Sequence, residues 1–168
     1  GENPNGAWTL TVSDDANSDG GSFNWSIDIV SINNAPVSQL TSFTQNTPVA
    51  IANDAPVVVS STINVAGLSK FITDVDVTTF ITHEYCSDLD ITIMSPAGTV
   101  VTLTSDNGSS LDNVFNGTVW NDSANPAGQV PYTTNSGLVT DHPYINLTLA
   151  SPLVPEEALG AFIGEDPN

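Results

Sequence analysis

The sequence predicts an all-β protein, a jelly-roll-like β-sandwich. Three observations point there. Apolar and polar residues alternate with period two in several separate stretches. No segment keeps a 3.6-residue period over about ten residues, so no substantial helix is expected. Thr, Ser, Asn, Val, Gly and Pro make up the bulk of the chain, a composition suited to strands and turns. At 168 residues the chain can bury one sizeable core.

The elements follow in order. Ala7 to Val12 alternate strictly, which puts Trp8, Leu10 and Val12 on one face of a half-buried strand. A polar loop, Asp14 to Gly21, leads to a second strand in which Phe23, Trp25, Ile27 and Ile29 share a face. Two strands around a short acidic loop read as a hairpin, which would be marginal without a sheet to join. Residues 33–41, with Asn34-Ala35-Pro36, read as a linker, and strand patterning resumes at Phe43. Val57 to Val65 form one run, and Val75, Val77, Ile81 and Tyr85 mark a long strand. Leu89, Ile91 and Ile93 alternate with Asp88, Asp90 and Thr92. Ser95-Pro96-Ala97-Gly98 is a turn, with Pro presetting φ, so Val100 to Leu103 should pair back as a hairpin. Residues 105–130 read as long loops anchored by Leu111, Val114, Phe115, Val119 and Trp120. Ile145 to Leu149 read as a short strand, and residues 152–163 as a covering loop or single helical turn.

Charge narrows the function. Nineteen acidic residues face one cation, Lys70, for a net charge of −18. Nucleic acid and anionic membrane surfaces would repel such a chain, whereas divalent cations, high ionic strength or a cationic partner suit it. No apolar run approaches the roughly 18 residues of a membrane span. Cys86 is the single cysteine, so no internal disulfide forms, and its strand-like setting suits a small buried hydrophobe. Five Asn-x-Ser/Thr sequons, at Asn24, Asn107, Asn116, Asn121 and Asn146, matter only in a glycosylating host.

A five-residue motif occurs twice. Gly1-Glu2-Asn3-Pro4-Asn5 returns as Gly164-Glu165-Asp166-Pro167-Asn168, differing only at Asn3/Asp166. A period of that length suits one whole domain and not a solenoid turn. The expectation is one period of a tandem array, cut inside the domain. Residues 1–32 would be the closing hairpin of a sandwich, either a preceding repeat's or strands donated to a neighbour. Residues 42–168 would form the main body of the next.

Joining the end of this period to its beginning exposes a family resemblance. Gly164-Glu165-Asp166-Pro167-Asn168 followed by Gly6-Ala7-Trp8-Thr9-Leu10-Thr11-Val12 and Asp14 resembles the closing signature of the P domain. That β-sandwich follows the catalytic domain in proprotein convertases and in many bacterial secreted proteases. Gly20, Trp25 and Ile27 resemble the family's acidic Gly loop and final strand, and Ile72 to Val77 its opening strand. Ile81 to Ile91 resemble its central strand pair, Ser95 to Thr99 its turn, and Asp112 to Phe115 the loop after it. Ile163 stands where the family usually has Trp. The resemblance implies a P-domain-like, non-catalytic module of a secreted protein, with the last two strands placed first.

Site chemistry agrees with a non-enzyme. The sequence has no Gly-x-Ser-x-Gly, His-Glu-x-x-His or P-loop, and only two histidines, His83 and His142. His83 reads as a structural residue near the core, and His142 as a loop residue. Ca²⁺ is the expected ligand. Asp15, Asn17 and Asp19 with Gly20 have the alternate-residue oxygen spacing of a cation-wrapping loop, without the Glu that would complete an EF-hand. A second group draws on Asp88 and Asp90, sharing one strand face, with Asp106, Asp112 and Asn113 nearby; the resemblance adds weight to Ca²⁺ there. Three functions are expected to compete. The leading one is a repeat of a secreted or cell-surface stalk, adhesin or filament, with neighbouring copies as head-to-tail partners. The others are an accessory domain of a secreted protease and a Ca²⁺-dependent glycan-binding adhesin. For the last, Trp8, Trp25 and Trp120 could stack on a surface glycan, although core positions suit Trp8 and Trp25 better.

Overall fold

A computed structural model of the chain describes residues 4–16, 18–32, 38–53, 56–124 and 144–168. Among the described residues, eight strands make two four-stranded sheets: β1 (Gly6–Asp14), β2 (Gly21–Ile32), β3 (Ser38–Ile51), β4 (Val57–Val65), β5 (Ile72–Thr82), β6 (Leu89–Met94), β7 (Val100–Thr104) and β8 (Asn116–Trp120). One sheet runs β4-β1-β6-β7 and the other β3-β2-β5-β8, and every strand pair is antiparallel. The expected all-β sandwich is the fold.

The two front strands sit inside this sandwich, one in each sheet. β1 lies between β4 and β6, pairing from Gly6–Val65 to Asp14–Val57 on one side. β2 lies between β3 and β5. They therefore do not form the expected hairpin. Each strand has one fully apolar face, and a hairpin would bury both on the same side of one sheet. Placed in opposite sheets, Trp8, Leu10 and Val12 face Phe23, Trp25, Ile27 and Ile29 across one core, all essentially inaccessible to water.

Four further boundaries differ from the sequence pattern. β3 begins at Ser38, inside the expected linker, and pairs with β2 as far as Ser38–Ile32. A largely exposed edge strand needs no apolar alternation, so its pattern gave no signal before Phe43. β8 lies within the stretch read as loops, because five residues at a sheet edge show almost no period. Ile145–Leu149 is instead a tight turn closed by one bridge, Ile145 to Thr148, with exposed apolar side chains. The long strand ends at Thr82, before Tyr85.

The carboxy-terminal segment then covers two sheet edges. Along β8, the Leu153 amide donates to the Val119 carbonyl (2.8 Å) and the Asn121 amide to the Leu153 carbonyl (2.9 Å). Along β7, the Glu156 and Glu157 amides donate to Leu103 and Thr102 (3.1 and 3.0 Å). One segment thus blunts an edge of each sheet and joins them. A 3-10 turn at Leu159–Phe162 returns the chain to the core, where Phe162 meets Trp8 edge to face at 5.1 Å.

A candidate cation site at one end of the sandwich

Two polar residues continue the inward faces of central strands. Asp14 follows Trp8, Leu10 and Val12 at the same parity and is 1% exposed; His83 follows Val77, Thr79 and Ile81 and is equally buried. They come from opposite sheets and meet at the same end of the core. His83 Nε2 lies 3.0 Å from Asp14 Oδ2, and His83 Nδ1 lies 2.8 Å from the Tyr85 carbonyl. The Tyr85 amide donates to His83 Nδ1 at 3.2 Å, which leaves Nε2 to donate to the Asp14 carboxylate. Asn113, in left-handed backbone, holds the His83 main chain from both sides: its side-chain oxygen accepts the His83 amide and its own amide donates to the His83 carbonyl, each at 2.9 Å.

Carboxylates gather around this pair. Asp14, Asp19 and His83 offer ligand atoms within 4.8 Å of one another. Asp19 Oδ1 is buried without a hydrogen-bond donor. Burial, then Asp19, Asp14 and Asp15, push the Asp88 carboxyl above its ordinary range, while His83 acts the other way. Burial, then Asp106, Asp15 and Glu156, likewise raise Asp90. A carboxylate with like-charged neighbours and an unmatched buried oxygen is a setting that a divalent cation relieves.

The expected ligands divide accordingly. Asp19 and Asp88 lie with Asp14 and His83. Asp15 acts on both Asp88 and Asp90, its amide donating to the Asp88 carbonyl at 3.2 Å. Asp90 and Asp106 form a neighbouring group with Glu156, whose carboxylate also takes the Ser105 amide and hydroxyl and the Asn107 amide group. The Asp112 amide donates to the Asn146 side-chain oxygen, and Asn113 serves the His83 backbone. Asn17 and His142 lie outside the described residues. Asp14 was missed on sequence because the alternate-residue spacing starting at Asp15 drew attention to the opposite parity. Its phase with Trp8 was the signal that it turns inward.

The tryptophans offer no stacking face. All three are fully buried, with Trp8 Nε1 donating to the Pro4 carbonyl and Trp120 Nε1 to Thr79 Oγ1, both at 3.0 Å.

A second acidic group lies on the other sheet. Asp76 stands opposite Asp28 in the β2–β5 register, and Ser42 donates to Asp28. Burial, then Asp74, Asp28 and Asp122, raise the Asp76 pKa to about 6, against a hydrogen bond from Asn121. A carboxyl raised in the folded state contributes most below its unfolded pKa and loses that contribution as pH rises through the folded one. Asp76→Asn is therefore expected to raise the melting temperature by a few degrees at neutral pH, with the gain vanishing below about pH 4. Thermal unfolding across that range measures it.

The fold is a two-sheet antiparallel β-sandwich, and part of it is similar to a known domain. Residues 72–129 match the family model described as the proprotein convertase P-domain, a stretch that holds β5 to β8 with His83, Asp88, Asp90, Asp106, Asp112 and Asn113. The resemblance read from the motifs is borne out there, and this domain type is a non-catalytic accessory domain. No curated protein and no solved structure gave a match. Among the described residues, no helix is long and apolar enough to cross a membrane.

Proposed function

We propose that this chain is a non-catalytic structural repeat of a large secreted or cell-surface protein, a stalk, adhesin or filament, stabilised by Ca²⁺. Neighbouring copies of the chain are its partners, head to tail, through donated strands. One observation carries the reading: the Gly-Glu-x-Pro-Asn motif recurs at a domain-length period, which places the first two strands where they resemble the closing strands of a P domain. Head-to-tail contacts that do not close on themselves build fibres. Light scattering across a concentration series tests it, with rising mass expected and one constant single-chain mass counting against it.

The cation is proposed to sit at Asp14, Asp19 and Asp88, with Asp15 at the rim; Asp90 and Asp106 form a second, more open position. These residues supply the hard oxygen donors that Ca²⁺ prefers. Millimolar Ca²⁺ is expected to raise the melting temperature and chelation to lower it. A ligand at about 100 times its Kd adds about 2.7 kcal/mol. Identical melting curves with and without chelator would remove the cation from the account.

The match to the proprotein convertase P-domain favours a second reading, an accessory domain of a secreted subtilisin-like protease or metalloprotease. A catalytic domain in the same reading frame would support it over the array.

A further inference from the structure

The last residues of the two motif copies, Asn5 and Asn168, meet at one place. Asn5 is fully buried, its Nδ2 donating to the Leu68 carbonyl at 2.6 Å while the Leu68 amide donates back to Asn5 Oδ1. Asn168 makes the same two contacts with the same residue, at 3.1 and 3.2 Å. The Leu68 carbonyl has two lone pairs and can serve both side chains; its amide has one hydrogen and cannot serve both fully. Asn5 thus holds the inner position and Asn168 the outer one. Asp166 links them, accepting the Asn168 amide at 3.0 Å and the Asn5 amide at 3.4 Å. The rest of the second copy is anchored independently: the Gly164 amide donates to the Ile72 carbonyl (2.8 Å) and the Ile72 amide to the Glu165 carbonyl (3.0 Å). At this seam burial raises the Asp166 carboxyl above its ordinary range, and Lys70, the chain's one Lys or Arg, acts the other way.

We propose that the Leu68 seat is a strand-exchange port, which takes the Pro-Asn-Gly lead of β1 from this chain or from a second copy, with Asn168 holding the seat while β1 is out. This rests on the head-to-tail reading above and specifies its contact. The seat selects its entrant. Gly6 has φ +152°, and a Cβ there would lie 2.5 Å from the Pro96 side chain and 2.8 Å from the Asn168 backbone. Only glycine passes, so an entering strand must carry Gly directly after the seated Asn. Past that gate, β1 pairs through main chain on both edges, and Trp8, Leu10 and Val12 alternate into the core. A second copy brings the same residues in the same register, so exchange leaves the contacts unchanged. Releasing β1 would strip the Leu68 amide and carbonyl of the Asn5 side chain, and Asn168, carrying the same amide group, takes its place.

Thr9 of β1 and Thr62 of β4 face each other with hydroxyls 3.3 Å apart. The test is Thr9→Cys with Thr62→Cys in a Cys86→Ala chain, refolded over a range of concentrations and then oxidised. Bridges within one chain are expected when dilute, and a ladder of linked chains when concentrated. When chains folded dilute are concentrated and oxidised at intervals, adding Asn168→Ala should slow the growth of the ladder about tenfold, the effect of one hydrogen bond lost from the state with β1 out. A ladder that grows at the same rate with Asn168→Ala overturns the proposal. So does rising mass in light scattering with every bridge still inside one chain, which leaves head-to-tail assembly standing. Constant single-chain mass with no ladder overturns both. If the cysteine variant does not fold, native mass spectrometry of mixed isotopically heavy and light chains replaces it. Mixing slowed by Asn168→Ala supports the port, and unchanged mixing overturns it.

Discussion

Trp8→Ala is expected to lower stability by about 4–5 kcal/mol, which would leave a protein of ordinary stability close to unfolding. Trp8 is fully buried in a strand paired on both edges, so its removal opens a cavity that main-chain pairing keeps from collapsing. It also loses the edge-to-face contact with Phe162, worth about 0.5–1.5 kcal/mol. The Pro4 carbonyl loses its donor as well. Trp8→Phe keeps most of the volume and should cost less than half as much. Denaturant unfolding of both variants checks this. A loosely docked front strand would instead give less than about 1 kcal/mol for either change.

Breaking the Asp14–His83 pair comes next in size. Both side chains are inaccessible to water, and His83 Nε2 meets Asp14 Oδ2 at 3.0 Å across the two sheets. Asp14→Ala or His83→Ala alone is expected to cost about 3–5 kcal/mol, because the remaining partner is buried uncompensated. Replacing both together with Leu should cost less than the two single changes combined, since no unpaired charge remains. A double-mutant cycle by denaturant unfolding measures the coupling. Chelator sensitivity followed in the same variants separates the ion pair from the proposed cation: Asp14→Asn should remove much of the Ca²⁺ response, and Asp112→Asn should leave it intact.

The central strands were legible in sequence because burial on one face imposes period two. Trp8-Leu10-Val12, Phe23 to Ile29 and Leu89-Ile91-Ile93 all carry that imprint, and all are buried as read. Which sheet each joins was not legible. Alternation reports that a strand has an inner face, while partners depend on contacts far apart in sequence, such as β1 with β4 and β6. Edge elements were poorly marked for the complementary reason: β3 and β8 have little one-sided burial to enforce a pattern. At the site, the acidic loop and the Asp88 region were visible as composition. Their convergence on His83 was not, because it requires the ends of β1 and β5 to coincide across the core. Asn113 was read as a ligand because Asn is an oxygen donor; its left-handed backbone and its two bonds to His83 assign it a holding role.

β1 and β2 are central strands of the sandwich that the downstream strands build. Amide hydrogen exchange, at a dilution where light scattering gives the mass of one chain, tests it most directly. The prediction is that the amides of β1 and β2 exchange as slowly as those of β5 and β6, opening only with global unfolding. Exchange of the first two strands at loop rates, with β5 and β6 still protected, would contradict it.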